Sequence, residues 1–210
     1  MSDTKRRLVD GTMTAIRQHG IAGVSARTIA AAAGVNQALV FYHFGSVDEL
    51  LSAACRAGTA ERVASWSARL AGVGSLRELL EVGRALHEEE RALGNVSFLA
   101  QMLAGAQSDE RLAAPTADAL QLWVDEIEAV LRRLLAGSPF AEVADVAGLA
   151  RAVSAAFIGL ELYDGVDSAG AERAMAALDQ LGVLIEVVDE LGPVTRQILQ
   201  RRVNKAARRP

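Results

Sequence analysis

Among its 210 residues the chain has a single cysteine, Cys55. It cannot close an internal disulfide, and no four-ligand set of cysteines and histidines exists for structural zinc, so a reducing cytoplasm is the expected compartment. Aromatic residues supply only 4% although apolar residues reach 51%. Packing therefore falls to Ala, Leu and Val, which suits closely stacked helices better than a β-sandwich. No stretch offers about 18 uninterrupted apolar residues for a membrane span. The charged start MSDTKRRLVD also lacks the apolar core of a signal peptide. Catalytic signatures are missing as well: there is no nucleophile motif, phosphate loop, paired Glu-x-x-His set or dinucleotide glycine pattern. An enzyme is not expected, nor a cofactor. No internal repeat and no low-complexity linker interrupts the chain.

The formal net charge of −4 argues against nucleic acid until its distribution is read. In residues 1–60, Lys5, Arg6, Arg7, Arg17, Arg27 and Arg56 outweigh Asp3, Asp10, Asp48 and Glu49. From residue 196 to the end, Arg196, Arg201, Arg202, Lys205, Arg208 and Arg209 face no acid. An acidic body behind a basic face is compatible with phosphate binding in one orientation. The basic tail either stays solvated or follows DNA or another acidic surface.

Helical periodicity dominates the pattern. Val9, Met13 and Ile16 share one face of a first helix, about residues 4–19, stopped at Gly20. A second helix follows Ser25 as cap and runs to Ala33 before Gly34; a third covers about 36–43. Ser46-Val47-Asp48-Glu49 spells a capping box for a longer fourth helix with Leu50 and Leu51 as its first buried residues. Ser75-Leu76-Arg77-Glu78 repeats the box for a fifth, whose stripe is Leu76, Leu79, Leu80, Gly83 and Leu86. Phe98, Leu99, Met102 and Leu103 mark a sixth, and Pro115 is read as opening a seventh that Gly137-Ser138-Pro139 stops. An eighth spans about 142–163 and a ninth about 169–191, closed by Gly192-Pro193. Val183 to Val188 could be a strand in isolation, but the long helical pattern around it outweighs local β-propensity. The expected fold is all-α with about nine to ten helices, residues 1–48 forming one domain and 49–210 another.

Residues 25–51, SARTIAAAAGVNQALVFYHFGSVDELL, carry the functional signal. Two short helices joined by a tight turn containing glycine make a helix-turn-helix. Ile29 and Val40 would meet in its small core, Ala30 and Ala33 would let the helices cross closely, and Gly34 would permit the reversal with Val35 beneath it. Arg27, Thr28, Gln37, Ala38, Leu39 and His43 then point outward.

This stretch resembles the tetracycline-repressor (TetR) family. Ile29-Ala30, Ala33-Gly34-Val35, Phe41-Tyr42-His43-Phe44 and Ser46 through Leu50 stand where that family has its hallmarks. The close match covers about the first 50 residues. Beyond them the likeness is architectural: a ligand domain of five or six helices whose last long pair builds a four-helix bundle across a dimer. The resemblance implies that Arg27 reaches guanine or a phosphate, while Gln37, Ala38 and Leu39 meet base edges. Arg and Gln have the forked donors and acceptors that read G and A, and Ala or Leu packs on a thymine methyl. Thr28, Asn36, Phe41, Tyr42, His43 and Ser46 complete the implied DNA-facing set. The sequence departs from the family where Phe41 replaces a phosphate-binding tyrosine and Val47 a lysine. Amides at the start of the fourth helix, with Tyr42 or His43, are the substitutes for those contacts. His43 alternatively packs beside Phe44.

The implied function is a transcriptional repressor, a homodimer on palindromic double-stranded DNA, released by an unidentified small hydrophobic molecule. A ligand-independent DNA-binding or protein-interaction regulator is the alternative. Asn95, Gln101 and Glu161 are the polar candidates for orienting such a ligand, with Phe98, Met102, Trp123 and Phe157 as apolar lining. No metal is expected. His87-Glu88-Glu89-Glu90 points in four directions around a helix and reads as a solvated acidic face. Cys55 reads as an inert residue on the fourth helix.

Overall fold

The computed structural model describes residues 2–136, 138, 144–189 and 195, with the side chains of residues 97, 108 and 181–189 excepted. Nine α-helices and no strand occur among the described residues: α1 (Asp3–His19), α2 (Ala26–Ala33), α3 (Ala38–Phe44), α4 (Val47–Gly72), α5 (Leu76–Ala92), α6 (Asn95–Ser108), α7 (Glu110–Leu135), α8 (Val146–Asp164) and α9 (Ser168–Asp189). A 3-10 turn, Ile21–Gly23, links α1 to α2. The expected all-α class is what the chain adopts, and the segment Val183 to Val188 is helical.

Packing divides the chain into two compact units. One holds residues up to Ser65 together with Glu90–Leu122; the other holds Trp66–Glu89 and residues from Trp123 onward. Most of α4, all of α6 and half of α7 thus pack in one compact unit with the first three helices.

In the first unit Leu8, Val9 and Ala15 of α1 meet Ala26, Ile29 and Ala33 of α2, Val40 of α3, and Leu50 and Ala54 of α4 in one buried cluster. Each large aliphatic side chain removed from water there contributes about 1.5–3 kcal/mol before entropy is counted. Thr12 of α1 is fully buried, and its hydroxyl donates to the Leu8 carbonyl at 2.8 Å, so that hydroxyl is not stranded. A second cluster joins Ile16, Leu51, Cys55, Met102 and Leu112.

In the second unit Trp66, Leu70, Val73 and Val130 form one core cluster, with Val124, Leu131 and Ala150 forming another. Arg133 of α7 donates to the Leu70 carbonyl at 2.8 Å and the Val73 carbonyl at 3.3 Å, satisfying acceptors at the end of α4.

Several local expectations need correction. α7 starts at Glu110, and Pro115 lies inside it. The start is set upstream by Asp109, whose carboxylate accepts the Arg111 amide at 3.0 Å. The Arg111 guanidinium also bonds the Asp109 side chain at 2.7 Å and holds its carboxyl below the usual range. At Ser75 the hydroxyl accepts from Glu78 N–H at 3.1 Å, but the Glu78 carboxylate reaches Gly74 N–H at 2.7 Å instead of closing the reciprocal box. At Ser46 only the forward half forms, Glu49 N–H donating to the hydroxyl at 3.1 Å. α8 begins at Val146, later than expected. Gly137, Pro139, Gly192-Pro193 and the basic tail from Arg196 lie outside the described residues.

α8 alone among the described residues is long and apolar enough to cross a membrane by length and composition, with mean hydropathy 1.4. Arg151 and Glu161 interrupt it, and Glu161 is buried within the second unit.

Candidate nucleic-acid interface

The turn between α2 and α3 follows from its residues. Gly34 takes the left-handed conformation (φ 62°, ψ 40°). Its N–H donates to the Ala31 carbonyl at 3.2 Å, while Val35 N–H donates to that of Ala30 at 3.0 Å. This pair of bonds is the Schellman arrangement, closed by Val35 packing onto the core. Asn36 then turns the chain into α3, its side-chain oxygen accepting Ala38 N–H at 2.8 Å. Ile29 and Val40 are both fully buried and meet in the first core cluster, as the pattern predicts.

With Val40 inward, Arg27, Asn36, Gln37 and Ala38 are exposed. Among the described residues the Arg27 guanidinium has no partner. Phe41 is half exposed and Tyr42 is 80% exposed, and the Tyr42 ring stands edge-on to His43 with centroids 4.9 Å apart. Two adjacent exposed aromatic rings make the end of α3 a candidate contact surface.

Three implied contacts look different in three dimensions. Leu39 is half-buried and packs against the core, so only part of it faces outward. The Thr28 hydroxyl caps α2 instead of pointing freely to solvent: it accepts Ser25 N–H at 2.9 Å and lies 3.1 Å from the Gly23 carbonyl. The reciprocal bond from Thr28 N–H to the Ser25 hydroxyl completes a capping box that a search for Glu or Gln at that position misses. The Ser46 hydroxyl is likewise engaged at the start of α4.

The candidate ligand residues fall into both units. In the first, Met102 is buried against Cys55, with Phe98 packed on the same cluster. Burial pushes the Cys55 thiol up to about 11. Asn95 and Gln101, both on α6, are engaged within the protein: Asn95 accepts from Arg17 at 2.9 Å and donates to Glu90 at 2.7 Å, and Gln101 accepts Ile21 N–H at 3.0 Å.

In the second unit Trp123 packs on the cluster around Trp66, and Phe157 is half-buried. Glu161 is 2% exposed and lies 2.7 Å from His87 Nδ1, with Asp164 3.9 Å from Nε2. His87 is thus no part of a solvated face. Nor is Glu90, which pairs with Arg62 through a 2.6 Å bond from Nε. The signal for His87 was its place four residues after Gly83, at the edge of the α5 apolar stripe. Among the described residues no group of three metal-binding side chains occurs.

An exposed short helix packed on two others through a glycine turn is a helix-turn-helix, an arrangement that can present its last helix to DNA. Residues 8–54 match the family model described as bacterial regulatory proteins, tetR family. Over this N-terminal segment the chain matches the DNA-binding part of that family, which supports reading it as a DNA-binding transcriptional regulator.

Solved structures share the fold. A putative TetR-family transcriptional regulator from Rhodococcus sp. is 24% identical, with 87% of this chain and 99% of that one covered and a TM-score of 0.71. The fatty acid degradation regulator FadR from Bacillus halodurans is 14% identical over 86% of this chain and 95% of its own, with a TM-score of 0.68. The multidrug binding protein EbrR, solved with imidazole, is 24% identical over 85% and 96%, with a TM-score of 0.60. A search of the curated proteins found no match.

Proposed function

We propose that the chain is a homodimeric repressor in the cytoplasm that reads a palindromic operator with two copies of α3, residues 1–48 forming the DNA-reading domain and 49–210 the regulatory and dimerising one. The observation that carries this reading is the outward set Arg27, Gln37 and Ala38, on helices locked by the buried Ile29 and Val40. Pairing through α8 and α9 is supported by apolar residues left exposed on α8 and just beyond it: Leu149 (43%), Val153, Tyr163 and Val166 (88%). Twofold pairing would set the two recognition helices about one DNA turn or a multiple apart.

A small apolar or amphipathic effector would bind the body and favour a head separation unsuited to DNA, a coupling of about 1–3 kcal/mol. Support comes from the shared fold with FadR, described as a fatty acid degradation regulator, and with EbrR, described as a multidrug binding protein. Phe98, Met102, Trp123, Phe157 and Glu161 remain the candidate contacts. The engaged amides of Asn95 and Gln101 favour a second reading, in which the body only dimerises and no ligand intervenes.

Selection of duplexes from a randomised library tests the first claim. An enriched inverted repeat is expected, and enrichment of nothing above random competitor rejects it. Thermal-shift screening with lipophilic compounds separates the two readings: a compound that raises the melting temperature and also weakens binding to the selected duplex supports release by ligand.

A further inference from the structure

We propose that Arg7 is a positioning residue for DNA reading, holding the turn before α3 in place instead of meeting a phosphate. Its Nη2 donates to the carbonyls of Ala33 at 2.9 Å and Gly34 at 2.7 Å. These acceptors belong to the last residue of α2 and its C-cap, where carbonyls lack helical donors and the helix dipole favours a cation. The Schellman bonds already serve Ala30 and Ala31; Arg7 serves the next acceptors along the turn. Fixing the Gly34 carbonyl fixes the plane of the peptide that leads into Val35 and Asn36, and with it the direction in which α3 departs. Gly34 also makes room for the contact, since a Cβ there would come 3.1 Å from Arg7 Nη2.

The neighbouring bases are similarly engaged. The Lys5 ammonium lies 5.7 Å from the centroid of the Phe44 ring at the far end of α3, and Arg6 pairs with Asp3 at 2.7 Å. A charge count assigns all three to phosphate; the geometry gives two of them to the two ends of the reading helix. Arg suits the task because the two hydrogens of Nη2 are held at a fixed angle in the guanidinium plane at the end of a longer side chain. The three hydrogens of a Lys ammonium rotate freely on a shorter one.

This proposal rests on DNA binding by the chain, so the wild-type protein is first used to select a duplex; if none is enriched, it is the DNA-binding reading that fails. With a selected duplex in hand, Arg7→Ala and Arg7→Lys are titrated across a salt series at a temperature where circular dichroism shows each fully folded. Arg7→Ala is expected to bind about tenfold more weakly, with the slope of log K against log salt unchanged. Amide exchange at Gly34 and Val35 should quicken in the same variant. Arg7→Lys, which keeps the charge without the fork, should lose about threefold, again at constant slope. A slope shallower by about one with exchange unaltered identifies a phosphate contact and overturns the proposal. Unchanged affinity overturns it too. If Arg7→Ala does not fold, Arg7→Lys decides: wild-type affinity and exchange in that variant reject positioning, and the threefold loss with quickened exchange supports it.

Discussion

A Cβ built on Gly11 of α1 would lie 2.7 Å from the Cβ of Ala33 and 2.8 Å from its backbone nitrogen. The two helices cross at this point with no side chain between them. Gly11→Ala gains about 1 kcal/mol of helix propensity. Pushing α2 away costs more, because the neighbour is backbone and cannot rotate aside. A net loss of about 1–2 kcal/mol is expected in urea unfolding, with weaker DNA binding; a more stable variant would mean that the helices part freely.

Gln37→Ala and Arg27→Ala should separate base reading from phosphate binding. Gln37 is exposed at the start of α3, so its loss should flatten preference at one position of the selected duplex by about 1–3 kcal/mol. Arg27, which has no internal partner among the described residues, should on removal weaken binding to every sequence, with a salt slope shallower by about one if it meets phosphate. Unchanged base preference in Gln37→Ala together with intact binding by Arg27→Ala would move the interface elsewhere.

Pairing through α8 predicts that Leu149→Glu yields monomers in sedimentation and loses cooperative operator binding. Leu149 is half exposed in the single chain, so the charge should not disturb folding. A dimer that persists in this variant places the interface on another face.

Burial raises the Cys55 thiol from 9.0 to about 11. At pH 8 only about one folded molecule in a thousand carries the thiolate, so thiol reagents should label the native protein slowly and the unfolded protein at once. The folded form keeps its proton where the unfolded form loses it. Stability is therefore unaffected below pH 9 and falls as the pH rises towards 11, by at most about 2–3 kcal/mol. Cys55→Ala should remove that part of the alkaline decline; an identical pH profile would show that the thiol ionises freely when folded.

Breaking the 2.7 Å contact between His87 and Glu161 should destabilise the second unit. Glu161 is 2% exposed, so His87→Ala takes a hydrogen-bond partner from a buried carboxylate. A cost of about 2–4 kcal/mol is expected, smaller for His87→Gln, which can still donate. An unmoved urea midpoint would mean that Glu161 has other partners enough without it.

How much could be read beforehand depended on the range of the interaction. Gly20, Ser25 and Gly34 act on their own few neighbours, so the first two helices and their stops are legible along the chain. Pro115 misleads for the same reason. Its preference for a first turn is genuine, but Asp109 caps the helix six residues earlier, and a local signal cannot reveal which of two compatible starts wins. Part of the exposed recognition face was legible too, since Val40 inward leaves Ala38, two residues before it, on the opposite side of the helix. Gln37, three residues before Val40, is exposed from the cap position ahead of α3.

Asn95 and Gln101 show the other side. Each is a polar residue on a helix, equally suited to a ligand and to an internal bond, and only the fold brings Arg17 to one and Ile21 to the other. Helix type, turn chemistry and the family pattern are properties of short stretches, so the order of residues determined them unaided. The pairings Arg7 with Gly34, Arg17 with Asn95 and His87 with Glu161 join residues 27, 78 and 74 positions apart. Tertiary structure alone decided them, because a polar side chain takes whichever partner packing leaves within hydrogen-bond reach.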